Sequence, residues 1–138
     1  MDSLTLGHGE RTATLRPGAP PAPGDPYNGG HFVVELRAEG MTATRQVFVY
    51  GWSDVAGFFA DLAENWRGWA GPKTWTSPEY DLAMTATHES GSHVQIEMVL
   101  QDGPVHTWSV TTTVEVEPGE EMTRLAKAVA ELIPTIAA

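Results

Sequence analysis

Hydrophobic and polar residues alternate with a period of two in several stretches of the chain, a pattern typical of strands that bury one face. A turn at Glu39 and Gly40 joins two such stretches, residues 32–38 and residues 41–50, and Arg45 interrupts the apolar face of the second. The same pattern predicts a strand or hairpin near the start of the chain and three consecutive antiparallel strands in its second half: residues 4–15, 80–86, 94–100 and 108–116.

Two other stretches place apolar residues three and four positions apart, which predicts amphipathic helices. The first helix is expected to begin with Ser53 as its N-cap and to end at Gly71 and Pro72. The second is expected to open after Pro118, with acidic residues at its positive end, and to stop at Pro134. The first helix has the widest apolar stripe of the chain, which consists of Val55, Phe58, Phe59, Leu62, Ala63, Trp66 and Trp69.

These elements follow the order ββ(β)-α-βββ-α and predict an α+β fold. The simplest layered arrangement is an antiparallel sheet of about five to six strands with two helices packed on one face. A segment rich in proline and glycine, residues 17–30, is expected to be a surface loop within a single domain of residues 1–138. No internal repeat is evident. The other face of the sheet is expected to be polar and open, and to carry Glu35, Glu97, Thr107, Ser109, Thr111, Thr113 and Glu115.

The charge of the chain narrows the kinds of partner that it can have. Eighteen Asp and Glu against eight Lys and Arg give a net charge of −10. Binding to nucleic acid through phosphate neutralisation needs clustered cations, so no nucleic-acid partner is expected. An acidic surface instead attracts basic proteins, and a basic protein is therefore the predicted partner.

The sequence contains no cysteine, which excludes disulfides and thiolate chemistry and fits a reducing compartment. Its start lacks the features of a secretory signal, and no stretch approaches the ~20 apolar residues that a membrane span needs. We therefore expect a cytoplasmic protein with no membrane partner.

The most unusual segment of the chain is residues 66–75, which contain three of the five tryptophans. Trp66 and Trp69 continue the stripe of the first helix and are expected to be buried. Trp52 and Trp75 lie off the stripe and are expected to line a pocket or face a partner. The candidate binding residues are Trp52, Arg67, Lys73, Trp75 and, on the open sheet face, Glu97 and Glu115. The two cations among them would suit an anionic ligand or an acidic patch.

His88 and His93 flank a predicted turn and could hold a metal ion if they faced each other. Strand register argues against this, because matching the apolar faces pairs His88 with Val94 and Glu89 with His93. The two imidazoles then point to opposite faces of the sheet. No metal or other cofactor is expected.

Catalytic signatures are scarce. The sequence contains no nucleophile elbow, phosphate loop or dinucleotide fingerprint. Paired carboxylates cannot be recognised without geometry, and Glu79 and Asp81 near the tryptophans are the nominees for such a pair. The catalytic residues stay unassigned, and the sequence favours a protein that is not an enzyme.

Four short motifs occur together in the second half of the chain: WRGW at residues 66–69, WTSPE at residues 75–79, SHV at residues 92–94 and VEPGEE at residues 116–121. Together they resemble a family of uncharacterised actinobacterial proteins of similar length, and the likeness runs over residues 32–132. The resemblance implies a domain of unknown function and assigns no functional residue.

The sequence supports three hypotheses of function. The leading one is a non-enzymatic binding protein, such as an immunity protein, that engages a basic partner through the open sheet face or the region of Trp52 and Trp75. The second is a small-ligand-binding or enzymatic domain with a pocket between helices and sheet, lined by Phe58, Trp66, Trp69 and Trp108. The third is a homodimer formed through an edge strand, as opposed to a monomer.

Overall fold

The computed structural model describes residues 3–19, 30–89, 93–103 and 107–132. These ranges contain eight strands and two helices, so the fold is α+β, as predicted. The proline- and glycine-rich segment predicted as a surface loop lies largely outside the described residues. The bounds of the elements are β1 (Leu4–His8), β2 (Arg11–Pro17), β3 (Gly30–Ala38), β4 (Met41–Val49), α1 (Trp52–Glu64), β5 (Lys73–Thr76), β6 (Leu82–His88), β7 (Val94–Gln101), β8 (Ser109–Val116) and α2 (Glu120–Leu132).

The strands form two four-stranded antiparallel sheets, which corrects the prediction of one sheet with five to six strands. The first sheet has the order β1-β2-β3-β4 and the second has the order β5-β6-β7-β8, so each is a simple meander. Two of these eight strands were not predicted separately from the alternation of hydrophobic and polar residues. The first predicted stretch is a hairpin that turns at Gly9, whose φ of +65° favours glycine. The strand β5 has only four residues and is followed closely by Pro78.

The apolar sides of both sheets and both helices contribute to one hydrophobic core. Phe32 of the first sheet and Ile96 of the second are fully buried in it. The helices pack against each other, and the indole N–H of Trp52 at the start of α1 donates to the carbonyl of Val129 in α2. This contact fixes the start of α1 against the last turn of α2.

The first helix is shorter than predicted. It ends at Glu64, where the backbone N–H and the side-chain amide of Asn65 both donate to the carbonyl of Asp61. Its N-cap is Gly51 and not Ser53. The tryptophans at positions 66 and 69 therefore lie beyond the helix. Neither helix in the described parts of the chain has the length and apolar character that crossing a membrane requires.

The two sheets approach each other where β1 lies against β8. Gly7 adopts a φ of +91° there, and a Cβ at this position would lie 2.5 Å from the carbonyl oxygen of Arg11 and 3.0 Å from the Cβ of Val114. The close approach therefore requires glycine. A second tie joins the sheets elsewhere, because Arg45 of β4 donates its Nε to the carboxylate of Asp81, just before β6, over 3.2 Å.

The two halves of the chain share one architecture, a four-stranded meander followed by a helix of 13 residues. Strand register places an equivalent row of side chains across the solvent side of each sheet. The rows are Thr5, Thr14, Glu35 and Thr44 in the first sheet, and Thr74, Thr85, Glu97 and Thr113 in the second. The structure thus contains a repeat that the sequence does not reveal.

Candidate functional site

The solvent side of the second sheet carries two of the candidate residues, Glu97 and Glu115. We call it the second-sheet face, and it consists of Thr74, Thr76, Ala83, Thr85, Thr87, Gln95, Glu97, Val99, Gln101, Ser109, Thr111, Thr113 and Glu115. None of these residues is buried, and the set contains two carboxylates and no Lys or Arg. The predicted open polar face is therefore present, although Glu35 lies on the other sheet and Thr107 precedes β8.

Glu97 lies at the centre of the second-sheet face, between Thr85 of β6 and Thr113 of β8. Its side chain is exposed and forms no hydrogen bond or ion pair with another described residue. A hollow of about 150 Å³ surrounds it, lined also by Thr87 and Gln95. This volume is below the range of about 300–1,000 Å³ that is usual for small-molecule sites, so the hollow suits the end of one side chain.

The equivalent glutamate of the first sheet, Glu35, is neutralised within the chain. The Nε of Arg37, two residues further along β3, lies 3.0 Å from Glu35 Oε1. On the second sheet the equivalent position is Val99, which pairs with Thr111 of β8 as Arg37 pairs with Thr42 of β4. The second-sheet carboxylate therefore lacks the cation that its counterpart has.

Glu115 adds a second acceptor to the same face. Gln95 donates its Nε2 to Glu115 Oε1 over 3.4 Å, and no Lys or Arg of the described residues pairs with this carboxylate. Because Glu115 is two residues from the strand partner of Glu97, the two carboxylates are diagonal neighbours, about 7–8 Å apart between their Cα atoms. The face thus offers two ionised acceptors among hydroxyl groups, an arrangement that accepts hydrogen bonds from ammonium or guanidinium groups.

A second cluster, which we call the tryptophan corner, consists of Trp66, Arg67, Trp69, Lys73 and His88. His88 Nε2 lies within hydrogen-bond distance, 2.8 Å, of the carbonyl oxygen of Trp66. The rings of Trp69 and His88 meet edge to face with centroids 5.1 Å apart. Trp69 is half-buried, but Trp66 is 42% exposed, so the expectation that both are buried is wrong for Trp66.

The two cations of the tryptophan corner differ in their contacts. The guanidinium of Arg67 lies over the indole of Trp66, 5.1 Å from the ring centroid. Lys73 Nζ lies 2.9 Å from Asp61 Oδ2 and 5.7 Å from the ring centroid of Trp69. Lys73 already has its carboxylate partner, and Arg67 is the cation of this corner that stays available to an anionic group.

Two of the candidate tryptophans are less accessible than expected. Trp52 is fully buried and packs edge to face against Phe32, so the expectation that it is free to face a partner is wrong. It is the first residue of α1 and enters the core from there, although it lies off the predicted stripe. Trp75 is half-buried on β5, opposite Met84 of β6.

The pocket predicted between the helices and the sheet is not assembled from the four rings expected to line it. Phe58 is buried in the core, whereas Trp66 and Trp108 are 42% and 37% exposed. Trp69 donates its indole N–H to the carbonyl of Ala86. One ring in the core and two at the surface do not enclose a common cavity.

The nominated acid Asp81 is buried and fully engaged. Ser77 Oγ donates to Asp81 Oδ1 over 2.6 Å, and Arg45 Nε donates to the other oxygen. Ser77 Oγ also accepts the backbone N–H groups of Asp81 and Leu82. Asp81 therefore anchors the turn between β5 and β6, while Glu79 is exposed. The interruption of the β4 pattern by an arginine is the sequence signal for this partly buried ion pair.

The register between β6 and β7 confirms the predicted pairing of the two histidines. His88 lies opposite Val94, and the N–H of Glu89 donates to the carbonyl of His93 over 2.8 Å. His93 Nδ1 lies 3.0 Å from Oε1 of Glu117, whereas His88 Nε2 contacts the carbonyl oxygen of Trp66. Within the described parts of the chain, no three His, Asp or Glu side chains converge as a metal site would need.

A comparison with protein families identifies the group to which this chain is related. The model of DUF6228, a family of unknown function, matches residues 7–135. The chain belongs to this family. Comparison with curated proteins and with solved structures gave no match. The DUF6228 match confirms the resemblance to an uncharacterised family, and function has to be argued from the surfaces described above.

Proposed function

We propose that this DUF6228 protein is a non-enzymatic binding module that engages a basic segment of a partner protein through the second-sheet face. The observation that carries the proposal is Glu97, which has no hydrogen bond or ion pair to another described residue, whereas its counterpart Glu35 is neutralised by Arg37. A Lys or Arg of the partner would supply the missing cation, in a charge-assisted hydrogen bond. The net charge of −10 would steer such a partner toward the protein.

The spacing of the carboxylates indicates the form of the basic segment. Glu97 and Glu115 are about 7–8 Å apart as diagonal neighbours, and residues i and i+2 of an extended chain are about 6.6–6.8 Å apart. An extended segment with basic residues at alternate positions therefore matches both acceptors. Immunity proteins, which bind and neutralise toxins, are one class of protein that acts through such binding.

The test is a titration of ¹⁵N-labelled protein with the blocked peptide Gly-Arg-Gly-Arg-Gly, followed by NMR. The peptide should shift the amides of Glu97, Thr85 and Thr113 saturably. The Glu97→Gln variant should bind about tenfold more weakly, because it loses a hydrogen bond between charged groups. Glu35→Gln is the matched control, since it changes the equivalent residue of the first sheet, and it should leave the affinity unchanged.

Two further measurements test whether the contact is electrostatic. Affinity should fall as salt rises, because the contact is electrostatic and partly exposed. The peptide Gly-Gln-Gly-Gln-Gly should not bind. Equal binding of the two peptides, or equal losses in Glu97→Gln and Glu35→Gln, would show that the second-sheet face is not the binding site.

A further inference from the structure

A hollow beside the tryptophan corner takes no part in the proposed function. It is lined by Trp66 and by residues around the start of α2, namely Gly119, Glu120, Thr123 and Arg124. Its volume is about 560 Å³, within the range of about 300–1,000 Å³ usual for small-molecule sites. The fold thus brings the WRGW and VEPGEE motifs, which are distant in sequence, to one place.

The aromatic wall of the hollow is held in position by contacts within the chain. The carbonyl of Trp66 contacts His88 Nε2, and the N–H of Gly68 donates to the carbonyl of Asn65 over 2.9 Å. Arg67 lies over the indole. Because these contacts hold the backbone around Trp66, binding there would cost little conformational entropy.

Gly119 keeps the indole accessible from the side of α2. Its φ is +89°, and a Cβ at this position would lie 3.9 Å from Cε3 of Trp66. A longer side chain would extend beyond that atom and compete with a ligand for the space beside the ring. The absence of a side chain at position 119 therefore leaves room beside the indole.

The polar side of the hollow comes from one face of α2. Glu120, Thr123 and Arg124 are at positions i, i+3 and i+4, which are neighbours on a helix. Neither Glu120 nor Arg124 forms a salt bridge with another described residue, although the charge of Arg124 helps to lower the pKa of Glu121. The lining of the hollow thus presents a carboxylate acceptor, a hydroxyl and a guanidinium donor, with one charge of each sign.

We propose that this hollow binds a neutral sugar ring of the hexopyranose class. The C–H face of a pyranose would lie on the indole face that Arg67 does not cover. Hydroxyl groups both donate and accept, so they match a carboxylate, a hydroxyl and a guanidinium together. An anionic ligand would meet Glu120, a cationic one would meet Arg124, and an aromatic ligand without hydroxyls would leave the polar groups unpaired.

The experiment uses the methyl glycosides of glucose, galactose and mannose as probes in an NMR titration of the ¹⁵N-labelled full chain. At least one of them should shift the indole N–H of Trp66 saturably. The amides of Gly119 and Thr123 should move with the same dissociation constant, since they border the same hollow.

Variants test whether the sugar binds in this hollow or at another exposed aromatic residue. Trp66→Ala should weaken sugar binding about tenfold through loss of the stacking platform. Arg124→Gln should weaken it several-fold. Trp108→Ala is the matched control, because it removes another exposed tryptophan and should leave the affinity unchanged. If Trp66→Ala fails to fold, Trp66→Phe, which keeps a smaller platform, should bind more weakly than the parent.

The inference is overturned if none of the three glycosides gives a saturable shift. It is also overturned if inorganic phosphate or glycine moves the same resonances while the sugars do not, because the ligand would then be charged or zwitterionic. A loss in Trp108→Ala as large as that in Trp66→Ala would reject the hollow. Glu97→Gln should bind the sugar normally, so this inference and the proposed function stand or fail separately.

Discussion

The solvent sides of the two sheets have the same geometry and opposite charge. The first-sheet face, on the solvent side of β1–β4, carries Arg16 and Arg37 against a single carboxylate, Glu35. The second-sheet face has Thr87 and Val99 at the positions equivalent to these arginines, and it carries Glu97 and Glu115. A repeated backbone therefore sets where the side chains point, and substitutions at a few equivalent positions decide which sheet can accept a basic partner.

The largest expected effect concerns the tie between the two sheets. Asp81→Ala would leave the hydroxyl of Ser77 and the guanidinium of Arg45 without their acceptor, and Asp81 itself is buried. We expect a loss of about 2–4 kcal/mol in the free energy of unfolding, measured by chemical denaturation. Glu79→Ala, at an exposed neighbour, should stay within about 0.5 kcal/mol of the parent. Equal effects of the two would mean that the shared core alone holds the sheets together.

An exchange at the equivalent positions tests the comparison of charge. Val99→Arg would place a guanidinium two residues from Glu97, as Arg37 is placed from Glu35, and should weaken binding of the basic peptide about tenfold. The reciprocal Arg37→Val should free Glu35 and create a weak second site on the first sheet. Both variants should unfold at nearly the parent temperature, since these positions lie outside the core. If Val99→Arg leaves peptide binding unchanged, the charge difference between the two sheet faces does not decide where the peptide binds.

Much of the fold could be predicted from the alternation of residues because this pattern reports which side of a strand is buried. It correctly gave the hairpin of β3 and β4, the three strands β6–β8 and the pairing of His88 with Val94. It could not give the number of sheets, because a period of two does not say which strands pair. The four-residue β5 was too short to show a period.

The candidate sites were only partly predictable for a related reason. Glu97 and Glu115 could be placed on an open face from their strand positions. The pairing of Glu35 with Arg37 could not, because strand alternation says which face a side chain is on and not which neighbour it contacts. The exposure of Trp66 depends on where α1 ends, which is set by the contacts of Asn65 with Asp61. Helical spacing alone continues through that point and therefore predicts a buried tryptophan.

The turns that open the two sheets also differ, and this difference predicts a gain in stability. The β1–β2 turn has a glycine, Gly9, at positive φ, whereas the β5–β6 turn has Tyr80 at a φ of +63°. A bulky residue in this conformation raises the free energy of the folded state by roughly 1–2 kcal/mol. Glycine removes this strain, but part of the gain is lost because glycine gives the unfolded chain more conformational entropy. Tyr80→Gly should therefore stabilise the fold by about 0.5–1 kcal/mol in thermal or chemical unfolding. Tyr50→Gly, at an exposed tyrosine without positive φ, should destabilise it, and the same sign for both would show that Tyr80 is not strained.

The smallest expected effect concerns the starts of the two helices. Gly51 begins α1 without a side-chain cap, whereas Glu121 near the start of α2 accepts the N–H of Glu117 over 3.0 Å and contacts His8. Burial raises the pKa of Glu121, but these contacts outweigh burial and hold the pKa below its ordinary value of 4.5.

Because the folded pKa of Glu121 is the lower one, its contribution is complete at pH values above 4.5 and is lost as the pH falls through the folded pKa. Glu121→Gln should therefore lower stability by up to about 1 kcal/mol at neutral pH and by less in acid, measured as unfolding free energy against pH. Glu120→Gln, one residue earlier, removes a carboxylate that lacks these contacts and is the matched control. If the two variants give parallel pH profiles, the Glu121 carboxylate does not couple ionisation to folding, and the start of α2 is no better capped than that of α1.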